Sequence, residues 1–361
     1  MQEPRLIRFG LHALGATGLA RVLAPAFRGL GAIFMLHHIE PGADGTAAFA
    51  PNAGLEITPE FLDATIGHVR ARGYDIVSLH EAVRRVAAGG GGRPFAVFTI
   101  DDGYRDNAEF ALPVFRKHDC PFTIFVCTGL IDGTLEMWWR VLEEAIAGAD
   151  EVTATLDGGT VTLPARDAAE KRAAFARLYW PVRHMEEHAQ RDWIHVFAEA
   201  RGIDMGERCR AVAMSWEEVA EIARDPLCTI GAHTVNHFAL AKLSREEAGE
   251  EIMRSAQRLE VATGERRRLF AYPYGDEGSA GERDFALLED LGFEAAVTTR
   301  KGVVGRGHAR RLTALPRVSL NGLYQDLVSL DALMSGVPFA AWNAARALKG
   351  LGRDRAAAST R

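Results

Sequence analysis

Cysteine is scarce and badly spaced for any framework. Cys120, Cys127, Cys209 and Cys228 are the only four in 361 residues, and no two form a C-x-x-C pair. That excludes a zinc knuckle and a disulfide scaffold, and reduced thiols in a cytoplasmic protein are the plain reading. Positive charge is not in excess either: 42 Lys and Arg stand against 48 Asp and Glu, a net charge of −6. Such a balance leaves no electrostatic footprint for nucleic acid. No apolar run approaches the length a bilayer span requires. The early segment MQEPRLIRFGLHALGATGLARVLAPAF is broken by arginines and lacks the uninterrupted core of a signal peptide. Residues 1–30 read as one amphipathic helix packed on the domain, with a weak peripheral membrane contact as the other reading. There is no internal repeat, and low complexity is confined to Gly89–Gly92.

What is present is an alternation of strand-like and helix-like segments. The dominant one is FAVFTIDDG, Phe95 to Gly103, where an apolar, β-branched run stops at two adjacent carboxylates and a glycine. Before it lie the strand GAIFMLHHIEP and a helix that Thr58 should cap and Pro59 should open. After it come a helix from Asn107 to His118 and the strand CPFTIFVCTGLI. This β-α-β-α order predicts a parallel sheet or barrel with helices outside. The rhythm changes over residues 132–212, where helical segments flank a hairpin-like EVTATLDGGTVTLP with a turn at Asp157-Gly158. We read this as a mainly helical insertion. Its Trp138, Trp139, Trp180 and Trp193 could line a sugar cleft, with Trp180 and Trp193 assigned to the insertion's own core. The rhythm resumes at CTIGAHTVNH and continues through a helix capped by the Ser244–Glu247 box, then LFAYPYG, FEAAVTTR and ALPRVSL. Residues 31–335 form the main unit, and 336–361 read as a tail whose end, GLGRDRAAASTR, is disordered.

Three expected strand tips carry unusual polar residues: Asp101 and Asp102, His233 and His237, and Tyr272 to Tyr274. Tips of different strands in a parallel barrel converge on one face. The four-residue spacing of His233 and His237 is that of a helical turn, which offers two imidazoles to one metal. One carboxylate and two imidazoles leave coordination positions open, and the second carboxylate is free to act as a base. Each pattern alone is common in turns and on surfaces. Their order, each behind an apolar run, points to one site.

TIDDG (Thr99 to Gly103), HTVNH (His233 to His237) and AYPYG (Ala271 to Gly275) resemble the first three motifs of the polysaccharide deacetylases, the NodB-homology or carbohydrate esterase family 4 proteins. The resemblance covers roughly Ile33 to Leu130 and Ser215 to Leu320. It implies a distorted parallel (β/α) barrel and metal-dependent removal of N- or O-acetyl groups from a saccharide or polysaccharide precursor. Matched residue by residue, it implies Asp101 as catalytic base and Asp102, His233 and His237 as ligands of a divalent metal, usually zinc. It also implies Tyr274 as the residue whose backbone N–H helps hold the oxyanion, with Tyr272 and Pro273 shaping the groove.

The pattern departs from the family at three places. Ala271 stands where many members open the third motif with an arginine that orients the base; VTTR contains no Asp-Trp motif; no late Leu-x-His strand supplies a general acid. The early strand MLHH is similar to the first strand of permuted members, in which a histidine motif precedes the D-D-G strand. That resemblance makes His37 the general acid, with His38 the alternative. Arg317, in LPRVS, stands at another expected tip, either orienting Asp101 in the missing arginine's place or as an ordinary surface residue. Two rivals remain from the residues: an allantoinase-like hydrolase of a non-sugar amide, and a catalytically silent carbohydrate-binding protein of the same fold.

Overall fold

The computed structural model describes residues 4–43, 45–156, 158–266 and 268–346. Seven strands form its centre: β1 (Gly31–Leu36), β2 (Phe95–Asp102), β3 (Phe122–Val126), β4 (Cys228–Ala232), β5 (Leu269–Ala271), β6 (Ala295–Lys301) and β7 (Leu315–Ser319). All their pairings are parallel, in the order β1-β7-β6-β5-β4-β3-β2, and β2 pairs back onto β1 to close the barrel. The seam between β1 and β2 is long, running from Gly31 opposite Phe95 to Leu36 opposite Ile100. Two other seams are irregular. β4 and β5 share one register pair, Ala232 with Phe270, and the β6–β7 register shifts between Val297 and Lys301. Those seams are where the barrel is distorted.

Residues two apart on a strand face the same side. Ile33, Val97, Phe125, Leu269, Val297 and Leu315 pack together in one buried cluster with the helix Leu79–Ala87. The alternate positions Phe34, Leu36, Phe98, Ile100, Ile124 and Phe270 join a larger cluster with the outer helices. Polar side chains at the strand ends continue the first face, and that continuation positions the site.

Local signals behave as their chemistry requires. Thr58 Oγ1 accepts from Phe61 N at 3.1 Å ahead of the helix Pro59–Ala71, and Ser244 with Glu247 completes a capping box on Arg245–Thr263. The predicted helix after β2 is present but begins with a wide turn of π type over Asn107–Ala111. Within residues 132–212, helices Trp138–Ala147, Ala168–His184 and Glu187–Glu199 enclose a second apolar cluster with Val152, Ala154 and Leu156 of an antiparallel hairpin. Asp157 of the expected turn lies outside the described residues.

Two expectations at the ends are corrected. The single N-terminal helix is a pair, Pro4–Ala16 and Leu19–Phe27, because Gly18 takes a left-handed φ of 73° that breaks the run. The expected tail from 336 instead continues as a helix over 337–346, with Phe339 buried against the core. GLGRDRAAASTR lies outside the described residues. Among the described residues, no helix is long and apolar enough to cross a membrane.

Candidate active site

The C-terminal tip of β2 carries Asp101 and Asp102 side by side, both buried. Asp101 follows Val97 and Thr99 on the interior face. On a regular strand Asp102 would face outward, but its left-handed φ of 77° breaks the alternation. Both carboxylates consequently line the same cavity of about 250 Å³.

Asp102 Oδ1 lies 3.3 Å from His233 Nε2 and 3.4 Å from His237 Nε2. All three residues are buried, and among the described residues Asp102 Oδ1 has no hydrogen-bond partner. A buried, unpartnered carboxylate oxygen facing two imidazole nitrogens is unfavourable without a cation between them. His233 Nδ1 sits 2.7 Å from the Ala271 carbonyl, so it carries the proton and leaves Nε2 as the ligand atom. The residues fit a divalent metal with open positions. The helical turn expected from the His233–His237 spacing is absent. A loop presents the two rings instead, with left-handed Thr234 (φ 63°) and His237 (φ 54°), and the His237 N–H donates to Thr234 Oγ1 at 3.0 Å.

Asp101 has a different partner. Arg317 from β7, completely buried, forks onto it with Nη1 2.7 Å from Oδ1 and Nη2 2.6 Å from Oδ2. The guanidinium is itself held by the Thr298 carbonyl at 2.9 Å and Thr99 Oγ1 at 3.1 Å. Burial pushes the Asp101 carboxyl up, but Arg317 outweighs it and holds the group below its ordinary value. Asp101 is therefore a fixed carboxylate at neutral pH.

The paired histidines after β1 separate. His37 lines the cavity with Nε2 3.9 Å from Asp101 Oδ2. Burial lowers its pKa below the ordinary value despite both aspartates, leaving a neutral ring at pH 7. His38 turns away, stacks on Tyr104 at 3.6 Å and binds Asp106 through Nδ1 at 2.6 Å.

The third motif divides as well. Tyr274, also left-handed at φ 59°, sits beside His237 with ring centroids 4.7 Å apart. Its hydroxyl accepts from Trp138 Nε1 at 2.8 Å. Pro273 precedes it in the turn, its carbonyl accepting from Gly275 N at 2.7 Å. Tyr272, expected in the groove, is not there. Its ring packs between Phe270 and Phe285, and its hydroxyl donates to the Thr313 carbonyl at 2.9 Å, because strand alternation sends it outward.

Residues within 132–212 supply the opposite wall. Trp138 and Trp139 open one helix, while Tyr179, Trp180 and Arg183 share a face of another. Arg183 lies 3.8 Å above the Tyr274 ring, a contact that the sequence reading missed. Trp180, assigned to the insertion's core, is instead 45% exposed at the cavity mouth; Trp193 is partly buried against that cluster, stacked on Phe197. A second cavity of about 410 Å³ shares Met35, Asn52, Leu55, Tyr179, Trp180 and Thr299 with the first, and extends it toward Tyr324. The site is a groove rather than a closed pit.

A closed parallel barrel with two buried aspartates of separate partnership and two converging imidazoles defines a hydrolase class. The model of the polysaccharide deacetylase family matches residues 88–163 and 183–296, over half of the chain, and the chain belongs to that family. It is accordingly a hydrolase of carbon–nitrogen bonds other than peptide bonds. The matched segments exclude β1 and β7, so both His37 and Arg317 lie beyond them. Among solved structures, the fold is similar to the Streptococcus pyogenes deacetylase PplD in complex with acetate, at 18% identity and a TM-score of 0.55 over 84% of this chain and 97% of that one. It is likewise similar to IcaB from Ammonifex degensii, at 19% identity and a TM-score of 0.53 over 84% and 98%. No curated protein matches the chain.

Proposed function

We propose that the protein is a divalent-metal-dependent deacetylase acting on the N-acetyl or O-acetyl groups of a saccharide or polysaccharide precursor. The observation that carries this is the division of the two aspartates: Asp102 faces His233 and His237, while Asp101 faces Arg317. Adjacent buried carboxylates with separate partners suit separate tasks.

Asp102, His233 and His237 would hold the cation, zinc being the usual choice in the family, and when bound it supplies Lewis acidity toward the acyl oxygen and a water. Asp101 is the base that takes the water proton, and Arg317 keeps its carboxylate ionised and aimed. His37, neutral and 3.9 Å away, takes that proton at Nε2 and passes it to the departing sugar nitrogen. The Tyr274 backbone N–H steadies the oxyanion, with Pro273 setting its turn. Trp180 and Tyr179 offer aromatic faces to the sugar.

Metal analysis of the purified chain, with acetate release from chitooligosaccharides with and without chelator, tests the reading. Bound metal, chelator-sensitive acetate release and a metal-replete but inactive Asp101→Asn variant are expected. Metal without acetate release would transfer the site to a non-sugar amide. Saccharide binding with neither would make the protein a silent binder.

A further inference from the structure

The N-terminal helix pair is firmly seated on one side and uncovered on the other. Leu11 and Ala20 are buried, and Gly15 sits so close to the helix Leu327–Met334 that a Cβ there would meet the Val328 carbonyl at 2.4 Å. On the outer side, Phe9, Ala13 and Ala16 follow a helical face in the first helix, and Leu19, Val22 and Ala26 do so in the second. Phe9 is 73% and Val22 76% exposed, an unusual position for such side chains in water. Charge in the segment has one sign. Pro4 to Ile39 contains Arg5, Arg8, Arg21 and Arg28 and no carboxylate, in a chain whose net charge is −6, although Arg21 is paired with Asp331 at 3.3 Å. The first helix also lies against the turn Gly322–Tyr324, and Tyr324 lines the outer cavity of the groove.

We propose that this helix pair docks the protein on an anionic bilayer surface, so that the groove takes a saccharide presented from that surface on a lipid carrier. The second clause rests on the deacetylase reading above; the docking does not. Exposed apolar stripes flanked by arginines match an interface of acyl chains beneath negative headgroups. A second copy of the chain would instead set arginine against arginine.

Cosedimentation of the full chain with phosphatidylcholine vesicles, with and without phosphatidylglycerol, tests the docking. Binding to the anionic vesicles that weakens with salt is expected. The double variant Phe9→Ser with Val22→Ser should lose at least about tenfold in vesicle affinity, and Arg8→Glu at least about fivefold. Both should release acetate from soluble chitooligosaccharide at the wild-type rate, because neither touches the groove. Wild-type protein that ignores anionic vesicles, binding unchanged in the double variant, or a solution dimer abolished by it would each overturn the proposal. Vesicle binding without acetate release in any form would instead locate the fault in the deacetylase reading.

Discussion

Replacing Arg317 with methionine tests the centre of the site most directly. The guanidinium makes two charge-assisted bonds to Asp101 at 2.7 and 2.6 Å, in a pair with 0% and 2% side-chain exposure. Its remaining bonds go to Thr99 and Thr298. Methionine fills part of the volume and leaves Asp101 as a buried charge whose strongest partner is gone. Breaking a buried pair from one side costs about 3–5 kcal/mol. Asp101→Asn alone leaves Arg317 stranded and should cost a similar amount. The double variant strands neither charge and should be less destabilised than the sum of the singles by about 2–3 kcal/mol. Urea unfolding of all four proteins in chelator measures this coupling free of metal. Metal content should persist in Arg317→Met, since Asp102 and the two histidines are untouched, while acetate release falls. Arg317→Lys should be intermediate, because one ammonium cannot reproduce the fork. Additivity within about 0.5 kcal/mol would refute the reasoning, as would an Arg317→Met protein that keeps full turnover.

Other expectations concern single side chains. His37→Gln should lower kcat by about 10²–10⁴ while His38→Gln mainly lowers stability, and a larger kcat loss in the His38 variant would reverse the assignment. Trp180→Ala should raise KM for a chitooligosaccharide by about tenfold with kcat little changed; an unchanged KM would remove Trp180 from the sugar path. Asp331 binds Arg72 Nε at 2.7 Å and His68 Nε2 at 2.6 Å, and these partners outweigh its burial to hold the carboxyl below its ordinary value. A depressed folded pKa gives stability that is present above the unfolded value near 4 and is lost as pH falls through the folded one. Asp331→Asn should therefore cost about 1–2 kcal/mol at pH 7 and progressively less in acid. A penalty that did not change with pH would show that the carboxylate's charge is not what matters.

Much of this architecture was legible because it is local. An apolar run ending in polar residues marks a strand and its tip, and Ser244 with Glu247 marks a helix start, whatever lies elsewhere. The Asp101–Arg317 contact, one of the two readings of Arg317, could not be decided locally. It joins positions 216 apart and depends on barrel closure, which places β2 and β7 on either side of β1. His37 and His38 are indistinguishable by neighbourhood, and only the fold shows one ring in the cavity and the other on Asp106. The His233–His237 spacing suggested a helix, yet a loop with two left-handed residues produces the convergence. Trp180 was misplaced because a helical face cannot reveal which neighbour it meets. Tyr272 went wrong for want of alternation, which puts it on the opposite face of its strand from the groove.

Four of the left-handed non-glycine residues, Asp102, Thr234, His237 and Tyr274, stand together at the site; the other among the described residues is Asp119. Each such residue carries about 1–2 kcal/mol that a glycine would not. The main chain at this rim is thus held in tension, a reservoir of several kcal/mol by the same per-residue cost. A lineage that had given up chemistry could recover that energy by drifting to glycine at any of these positions. Here the strained backbone carries a carboxylate, two imidazoles' loop and an aromatic ring. Such strain is what a working centre would retain and a retired one would shed.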